Sequence, residues 1–190
     1  MKVFLLLSLF SCVEISIEYV LGRNHINNAS LSNDSYPIES AFICAVYILS
    51  AGRKTIKQII SMLALLYFAI WIVNKIYFDI PDQSNDQMAM ASGIFIIIIS
   101  VITIQTTVSK MNHPLIDEPI FWVSSGTLIY WTGVLFILGS SNELLKMGTS
   151  YFQKAWYVNW SLTIVANAMF TKAYLCRPKN QPSQSTLLTR

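Results

Sequence analysis

The residues of this chain that are best suited to chemistry lie inside long apolar stretches. Ser11, Glu14 and Glu18 are spaced by three and four positions, so a helix places all three on one face. An ionised side chain at the centre of a bilayer costs on the order of 2.5–3.5 kcal/mol on insertion scales. A carboxyl group held there favours its protonated form and can exchange a proton near neutral pH. Glu14, which lies deeper than Glu18, is therefore a candidate proton site.

A second polar set recurs every four residues in the last apolar stretch. Its members are Asn159, Thr163, Asn167 and Thr171. The fourth stretch adds Ser92, Ser100, Thr103 and Thr107. If these faces meet the carboxylates of the first stretch, they line a polar crevice, with Lys75 or Lys172 as the partner of a carboxylate. The alternative is ordinary helix packing, in which hydrogen bonds between helices contribute about 0.6 kcal/mol each.

The fifth stretch carries a candidate helix-contact face. Gly126 and Gly133 lie seven positions apart, which keeps them close to one side of a helix. Ser125 and Thr132 directly precede them. Small residues let a second helix approach closely inside a membrane. This face is therefore predicted to contact another helix.

Patterns that would indicate catalysis, a metal or a cofactor are missing from the sequence. No HExxH, GxSxG, Walker or glycine-rich nucleotide motif occurs. The only histidines, His25 and His113, fall on predicted opposite sides of the membrane, and the three cysteines form no CxxC pair. The formal charge of +3 is too small to suggest nucleic-acid binding. We therefore expect a protein that is not an enzyme and that holds no cofactor.

These residues must be positioned by helices that cross a bilayer. Hydrophobic residues make up 54% of the chain and charged residues 12%, whereas a soluble domain usually carries about twice that charged fraction. A bilayer core of roughly 30 Å needs about 20 apolar residues in a helix. The candidate spans are 3–21, 37–52, 59–78, 89–109, 121–140 and 156–176. The sequence predicts an all-α fold, a polytopic transmembrane helix bundle in one domain (1–176), followed by a disordered cytoplasmic tail (177–190).

Positive charges orient the predicted bundle. Under the positive-inside rule, eight Lys and Arg residues of the links and ends fall on one side and three on the other. Both termini are therefore predicted to be cytoplasmic, which agrees with an even number of spans. The stretch 37–52 reaches only about 24 Å at 1.5 Å per residue, which leaves a re-entrant hairpin as an alternative. The first stretch also has the features of a cleavable signal peptide.

Two segments carry a resemblance to a known group of proteins. They are HPLIDEPIFWVSSGTLIYWTGVLFILGS at 113–140 and WYVNWSLTIVANAMFTKAYLCRP at 156–178. The first has an FW pair, a small residue, a glycine and LIY, and the second is an Asn-containing helix that ends in a charged stub. Together they resemble the closing helices of small uncharacterised bacterial integral membrane proteins, which are similar in layout to the membrane modules of sensor histidine kinases. The resemblance implies a multi-pass protein of the bacterial inner (plasma) membrane and assigns no active-site residues.

Two functional hypotheses follow. The leading one is a non-enzymatic sensory or relay module that acts through helix contacts with a membrane partner, such as a signalling kinase or regulator, or with a second copy. Kinase-linked modules continue into a signalling domain, whereas this chain stops at Arg190, so we expect any signal to pass to a separate partner. The alternative is a small proton-coupled transporter that uses Glu14. Both hypotheses imply contact with the lipid bilayer and none with nucleic acid.

Overall fold

The described part of the chain is helical. In the computed structural model it comprises residues 2–24, 26, 29–78, 86–109 and 114–176. Within these ranges there are six long α-helices, one 3-10 turn (Leu115–Asp117) and no β-strand. The helices are α1 (Lys2–Arg23), α2 (Ala29–Ser50), α3 (Lys54–Tyr77), α4 (Asp86–Val108), α5 (Pro119–Met147) and α6 (Thr149–Leu175). The predicted all-α fold is confirmed, and the predicted tail at 177–190 lies outside the described residues.

Three of these helices are long and apolar enough to cross a membrane. They are α3, α4 and the Pro119–Ser141 part of α5. Large apolar side chains of α3 lie on the surface, and Met62, Leu65 and Ile76 are 74%, 72% and 68% exposed. A soluble monomer rarely exposes a large contiguous apolar surface, whereas a helix that faces lipid needs one. These helices give the chain the character of an integral membrane protein.

The second helix is longer than the sequence predicts. α2 begins at Ala29, eight residues before the predicted start of the span at 37, and continues without a break to Ser50. Its 22 residues extend about 33 Å. The segment is therefore one continuous helix and not the re-entrant hairpin that the sequence left as an alternative. Pro37 lies inside the helix and is buried. Packing against neighbouring helices allows a proline inside a membrane helix, and a sequence pattern alone does not reveal that packing.

The last two helices form a hairpin with a single residue between them. α5 continues to Met147 and α6 begins at Thr149. The segment 141–155, which the predicted spans leave as a link, is therefore almost entirely helical. Gly148 has a φ of +121°, a conformation that residues with a Cβ rarely adopt. The chain reverses direction at this glycine.

Helix contacts run in order across the bundle. α5 and α6 make the most extensive contact, α4 packs on α5, and α2 contacts α1, α3 and α4. Where α4 crosses α5, a Cβ on Gly93 would lie 2.8 Å from Trp131 Cε3, so the glycine allows the two helices to approach. Trp131 belongs to a buried apolar core with Ile96 and Ile99. This core between α2, α3, α4 and α5 holds the polar residues described next.

Candidate functional site

A buried hydroxyl cluster, the Tyr47 cluster, joins α2, α4 and α5. It consists of Tyr47, Ser100, Ser124 and Thr127. The Tyr47 and Ser100 oxygens lie 2.8 Å apart, and neither side chain is exposed to solvent. Ser100 gives its single proton to the Ile96 carbonyl at 2.7 Å, because a hydroxyl carries one hydrogen. Tyr47 therefore donates to Ser100.

A second buried cluster, the Tyr67 cluster, joins α2, α3 and α4 in the same way. It consists of Tyr67, Ser92 and Ser40. The Tyr67 and Ser92 oxygens lie 2.6 Å apart, and Ser92 donates to the Met88 carbonyl at 2.8 Å. Tyr67 is therefore the donor to Ser92. Its ring stacks on Phe95 with centroids 4.6 Å apart and planes within 4° of parallel, which fixes the direction of the hydroxyl.

Each cluster also contains a serine whose hydroxyl has no hydrogen-bond partner. Ser124 is near Tyr47, and Ser40 is near Tyr67. Both Oγ atoms are fully buried and make no hydrogen bond that satisfies the geometry. A buried unpaired polar group costs about 1–3 kcal/mol, so each hydroxyl is a ready donor or acceptor for a water or a small polar ligand.

The two clusters are separate along the bundle. Ser92 and Ser100 are eight residues apart on α4, which corresponds to about 12 Å. The side chains of Ile96 and Ile99 lie between them on the same helix and are fully buried. The described residues thus form two polar layers with an apolar layer between them, and not a continuous polar path.

Sequence reasoning found part of this arrangement. Ser92, Ser100 and Thr103 of the predicted polar face of α4 are buried, and Thr107 donates to the Thr103 carbonyl at 2.8 Å. The tyrosines and the serines of α2 and α5 were missed. Tyr47 was the available signal, since a tyrosine inside an apolar stretch needs a hydrogen-bond partner when it is buried.

The carboxylate face of α1 lies against α2. Ser11 Oγ donates to Glu39 Oε1 at 3.1 Å, and the rings of Phe10 and Phe42 are 5.9 Å apart. Glu14, one turn beyond Ser11, is half-buried, and the side chain of Glu18 lies outside the described part of the chain. The sequence pattern had placed Glu39 near the end of a span, but it lies in the middle of α2.

The polar stripe of α6 is buried at its first residue, Asn159, and exposed at its last two, Asn167 and Thr171. Asn159 is 4% exposed, and its Oδ1 has no hydrogen-bond partner. Thr163 is half-buried, while Asn167 and Thr171 are exposed. Four residues turn an α-helix about 40° beyond a full turn, so a stripe at this spacing drifts round the helix. The threonines are satisfied locally, because Thr163 donates to the Asn159 carbonyl and Thr171 to the Asn167 carbonyl, each at 2.9 Å.

The crevice between the stripe and the carboxylates does not form in this arrangement. α6 packs on α5, whereas α1 packs on α2, so the structure does not bring Asn159 and Glu14 together. Lys75 forms an ion pair of 2.7 Å with Asp34, and Lys172 is exposed at the end of α6. The predicted polar residues are thus distributed over three separate helix contacts, which are α1 with α2, α2 with α3, and α5 with α6.

The small-residue face of α5 meets α6 of the same chain. A Cβ on Gly126 would lie 2.8 Å from Phe170 Cε1 and 3.1 Å from the Ala166 carbonyl oxygen. Gly133 lies directly against Leu162. The residues that precede the glycines are less enclosed, with Ser125 half-buried and Thr132 exposed. The helix that lies closely against this face is α6.

The polar features that the geometry offers are therefore the two tyrosine clusters, the Ser11–Glu39 contact and the outward side of α6. Hydroxyl groups bind water or polar groups and hold helices in register, but they ionise only far above neutral pH. Two carboxylates of α2 have a defined contact with a second helix, Glu39 with Ser11 of α1 and Asp34 with Lys75 of α3. Comparisons of the chain with known protein families, with characterised proteins and with solved structures find no match.

Proposed function

We propose that the chain is a non-enzymatic, multi-pass protein of the bacterial inner membrane and serves as a sensory or relay module through helix contacts with a partner protein. In this proposal all six helices cross the membrane and both termini are cytoplasmic. The lengths of α1, α2 and α6 support it, because 22, 22 and 27 residues extend about 33–40 Å across a core of roughly 30 Å. The layout resemblance to kinase-linked membrane modules supports the relay role.

The observation that carries the proposal is the exposure of Asn167. Its amide lies on the outward side of α6, eight residues before the end of the helix at Leu175, or about 12 Å along the axis. Among the described residues its side chain has no hydrogen-bond partner. An amide that faces hydrocarbon at this depth is costly. A helix from a partner protein removes that cost by forming hydrogen bonds with it.

The neighbours of Asn167 suit such a contact. Ser161 and Ala168 are small, seven positions apart and exposed on α6, so they allow a helix to approach closely. The glycine face of α5 is already covered by α6, so the partner surface that we propose is the outward side of α6. The expected partner is a membrane-spanning helix with a hydrogen-bonding side chain at the same depth.

Site-specific crosslinking in native membranes tests this surface. A photoreactive amino acid replaces Ala168 on α6, and the matched control carries it at Leu65, which is 72% exposed on α3. We expect a crosslinked kinase, regulator or other membrane protein from position 168, identified by mass spectrometry, and its loss in Asn167→Leu. A crosslink only to a second copy of the chain would mean that the partner is another copy and that the protein forms a homo-oligomer. Equal products from both positions, or none, would overturn the proposal.

A small proton-coupled transporter is the second candidate function. It is favoured by the half-buried Glu14 and by the Ser11–Glu39 contact one turn away, since intramembrane carboxylates serve as proton relays in transporters. This function predicts a pH-dependent flux in proteoliposomes that Glu14→Gln abolishes. The relay role predicts no flux for either protein, so the same measurement separates the two.

A further inference from the structure

The position of Glu39 makes it a costly residue. It lies ten residues after the start of α2 and eleven before its end, or about 15 Å from either end. Asp34, which pairs with Lys75 in the last turn of α3, is five residues earlier in α2, so Glu39 lies about 7.5 Å deeper than that pair if α2 crosses a bilayer. An ionised carboxylate inside the hydrocarbon costs free energy, up to about 2.5–3.5 kcal/mol at the centre, and protonation removes that charge. The residue is half-buried and not open to lipid along its whole length.

The Ser11 hydroxyl can form a hydrogen bond with the Glu39 carboxyl group in either protonation state. Ser11 Oγ lies 3.1 Å from Glu39 Oε1 and donates to the carboxylate. A serine hydroxyl can also rotate and accept a hydrogen bond from a carboxylic acid. Ser40 follows Glu39 directly in α2 and belongs to the Tyr67 cluster, so the same turn of α2 carries the carboxyl group and a buried, unpartnered hydroxyl.

Charged groups lie along the helices around α2. α1 carries Glu14, one turn beyond Ser11, and a negative charge there favours a proton on Glu39. Arg23 is at the end of α1, and Lys54 and Lys57 are at the start of α3. α3 contributes Lys75, which is paired with Asp34 five residues before Glu39, and also the uncharged Tyr67. The charged residue of α4 is Asp86 at the start of that helix. α2 itself adds Cys44, which is buried and follows Ser40 by four residues, or about one turn.

We propose that Glu39 is a proton-binding site inside the membrane, formed between α1 and α2 by the carboxyl group and the Ser11 hydroxyl. The extensive contact of α1 is with α2, so a change in the charge of Glu39 acts on the docking of that helix. Proton binding at Glu39 needs neither a partner protein nor a transported substrate. The proposal rests on the crossing of the membrane by α2, which is part of the proposed function, but not on the relay role, and the two are tested by separate measurements.

Labelling with a hydrophobic carbodiimide tests the site, because the reagent adds to protonated carboxyl groups in an apolar environment. The full chain is treated in membranes at neutral and alkaline pH, and the modified peptides are mapped by mass spectrometry. We expect adducts on Glu39 at neutral pH, their loss at alkaline pH, and their loss in Glu39→Gln. Glu143→Gln is the matched control, because Glu143 is exposed on α5, and it keeps the adduct on Glu39.

A spectroscopic measurement keeps the proposal testable if the variant does not fold. The infrared band of a protonated carboxyl group should titrate in the wild-type protein, and Ser11→Ala should shift its frequency because the hydrogen bond to Ser11 is lost. Labelling confined to Glu14, or a Glu39 that stays unmodified at neutral pH in the folded protein, would overturn the proposal. Absence of a partner crosslink from α6 would leave the result at Glu39 unaffected.

Discussion

The hydroxyl groups of Tyr47 on α2 and Ser100 on α4 lie 2.8 Å apart in the interior of the bundle. Ser100 gives its proton to the Ile96 carbonyl, so the tyrosine is the donor. One hydrogen bond of defined direction thus joins two helices that are separated in sequence by α3. The Tyr67–Ser92 pair repeats the arrangement between α3 and α4. The two tyrosines therefore fix the rotation of α2 and α3 relative to α4.

Replacing Tyr47 by phenylalanine should destabilise the bundle while the ring still fills its space. Ser100 then loses its donor, and the unpaired Ser124 loses a neighbouring hydroxyl group. We expect the free energy of unfolding to fall by about 0.6–1.7 kcal/mol, the range for hydrogen bonds between membrane helices. Unfolding of the purified protein by a denaturing detergent measures this change. Tyr174→Phe is the control, because Tyr174 is 62% exposed; equal effects of both changes would contradict the role of the cluster.

The glycines of α5 should respond to alanine according to what each one contacts. Replacement in a helix interior gains up to about 1 kcal/mol from helix propensity alone. Gly139 has no atom within 4 Å of an added Cβ, so Gly139→Ala should be neutral or stabilising. At Gly126 the Cβ would lie 3.1 Å from the Ala166 carbonyl oxygen and 2.8 Å from the Phe170 ring, and neither group yields easily. Gly126→Ala should therefore lower the melting temperature.

Gly133→Ala gives the intermediate case in the same series. Its added Cβ meets the end of the Leu162 side chain, which is flexible and can move aside. We expect stabilities in the order Gly139→Ala, then Gly133→Ala, then Gly126→Ala, measured by thermal unfolding in detergent. If all three variants had the same melting temperature, the packing of α6 on the glycine face would be wrong.

Hydropathy could predict that the fold consists of long apolar helices, but it could not predict where each helix begins and ends. The predicted span at 89–109 corresponds closely to α4 (Asp86–Val108), because its apolar residues are continuous. α2 begins eight residues before the predicted span at 37–52, which was started at Pro37 because Asn33, Asp34 and Ser35 are polar. Asn33 and Ser35 are buried in the structure. When a neighbouring helix buries a polar residue, the local sequence does not indicate that burial.

The candidate site shows the same limit for contacts between helices. The spacing of Gly126 and Gly133 predicts a close helix approach, and α6 lies against both glycines. Nothing in that spacing says which helix approaches. The stripe from Asn159 to Thr171 was predicted as one polar face, and the drift of a four-residue spacing divides it between a buried and an exposed side. Glu39 was placed near the end of the predicted span at 37–52, whereas the helix that carries it begins at Ala29.

The ion pair between α2 and α3 should contribute little to stability. Lys75 Nζ and Asp34 Oδ1 are 2.7 Å apart, with side chains 37% and 51% exposed. Exposed pairs contribute about 0.2–1 kcal/mol and are screened by salt. We expect Asp34→Asn to lower the free energy of unfolding within that range at low salt and to have a smaller effect at high salt. Glu143→Gln, which breaks the more exposed pair with Lys146, should have no measurable effect; a larger loss there would contradict this ranking.

The turn at Gly148 should be sensitive to any side chain, although there is room for one. No atom lies within 4 Å of a Cβ built at this position, so steric contact with the rest of the protein does not oppose alanine. The backbone does, because φ is +121° and an L-residue held in such a region costs about 1–3 kcal/mol. Gly148→Ala should therefore destabilise the α5–α6 hairpin, whereas Gly139→Ala, also without contacts but inside the helix, should not. The difference in unfolding free energy between these two variants measures the backbone cost, and equal values would mean that α5 and α6 do not reverse direction at this glycine.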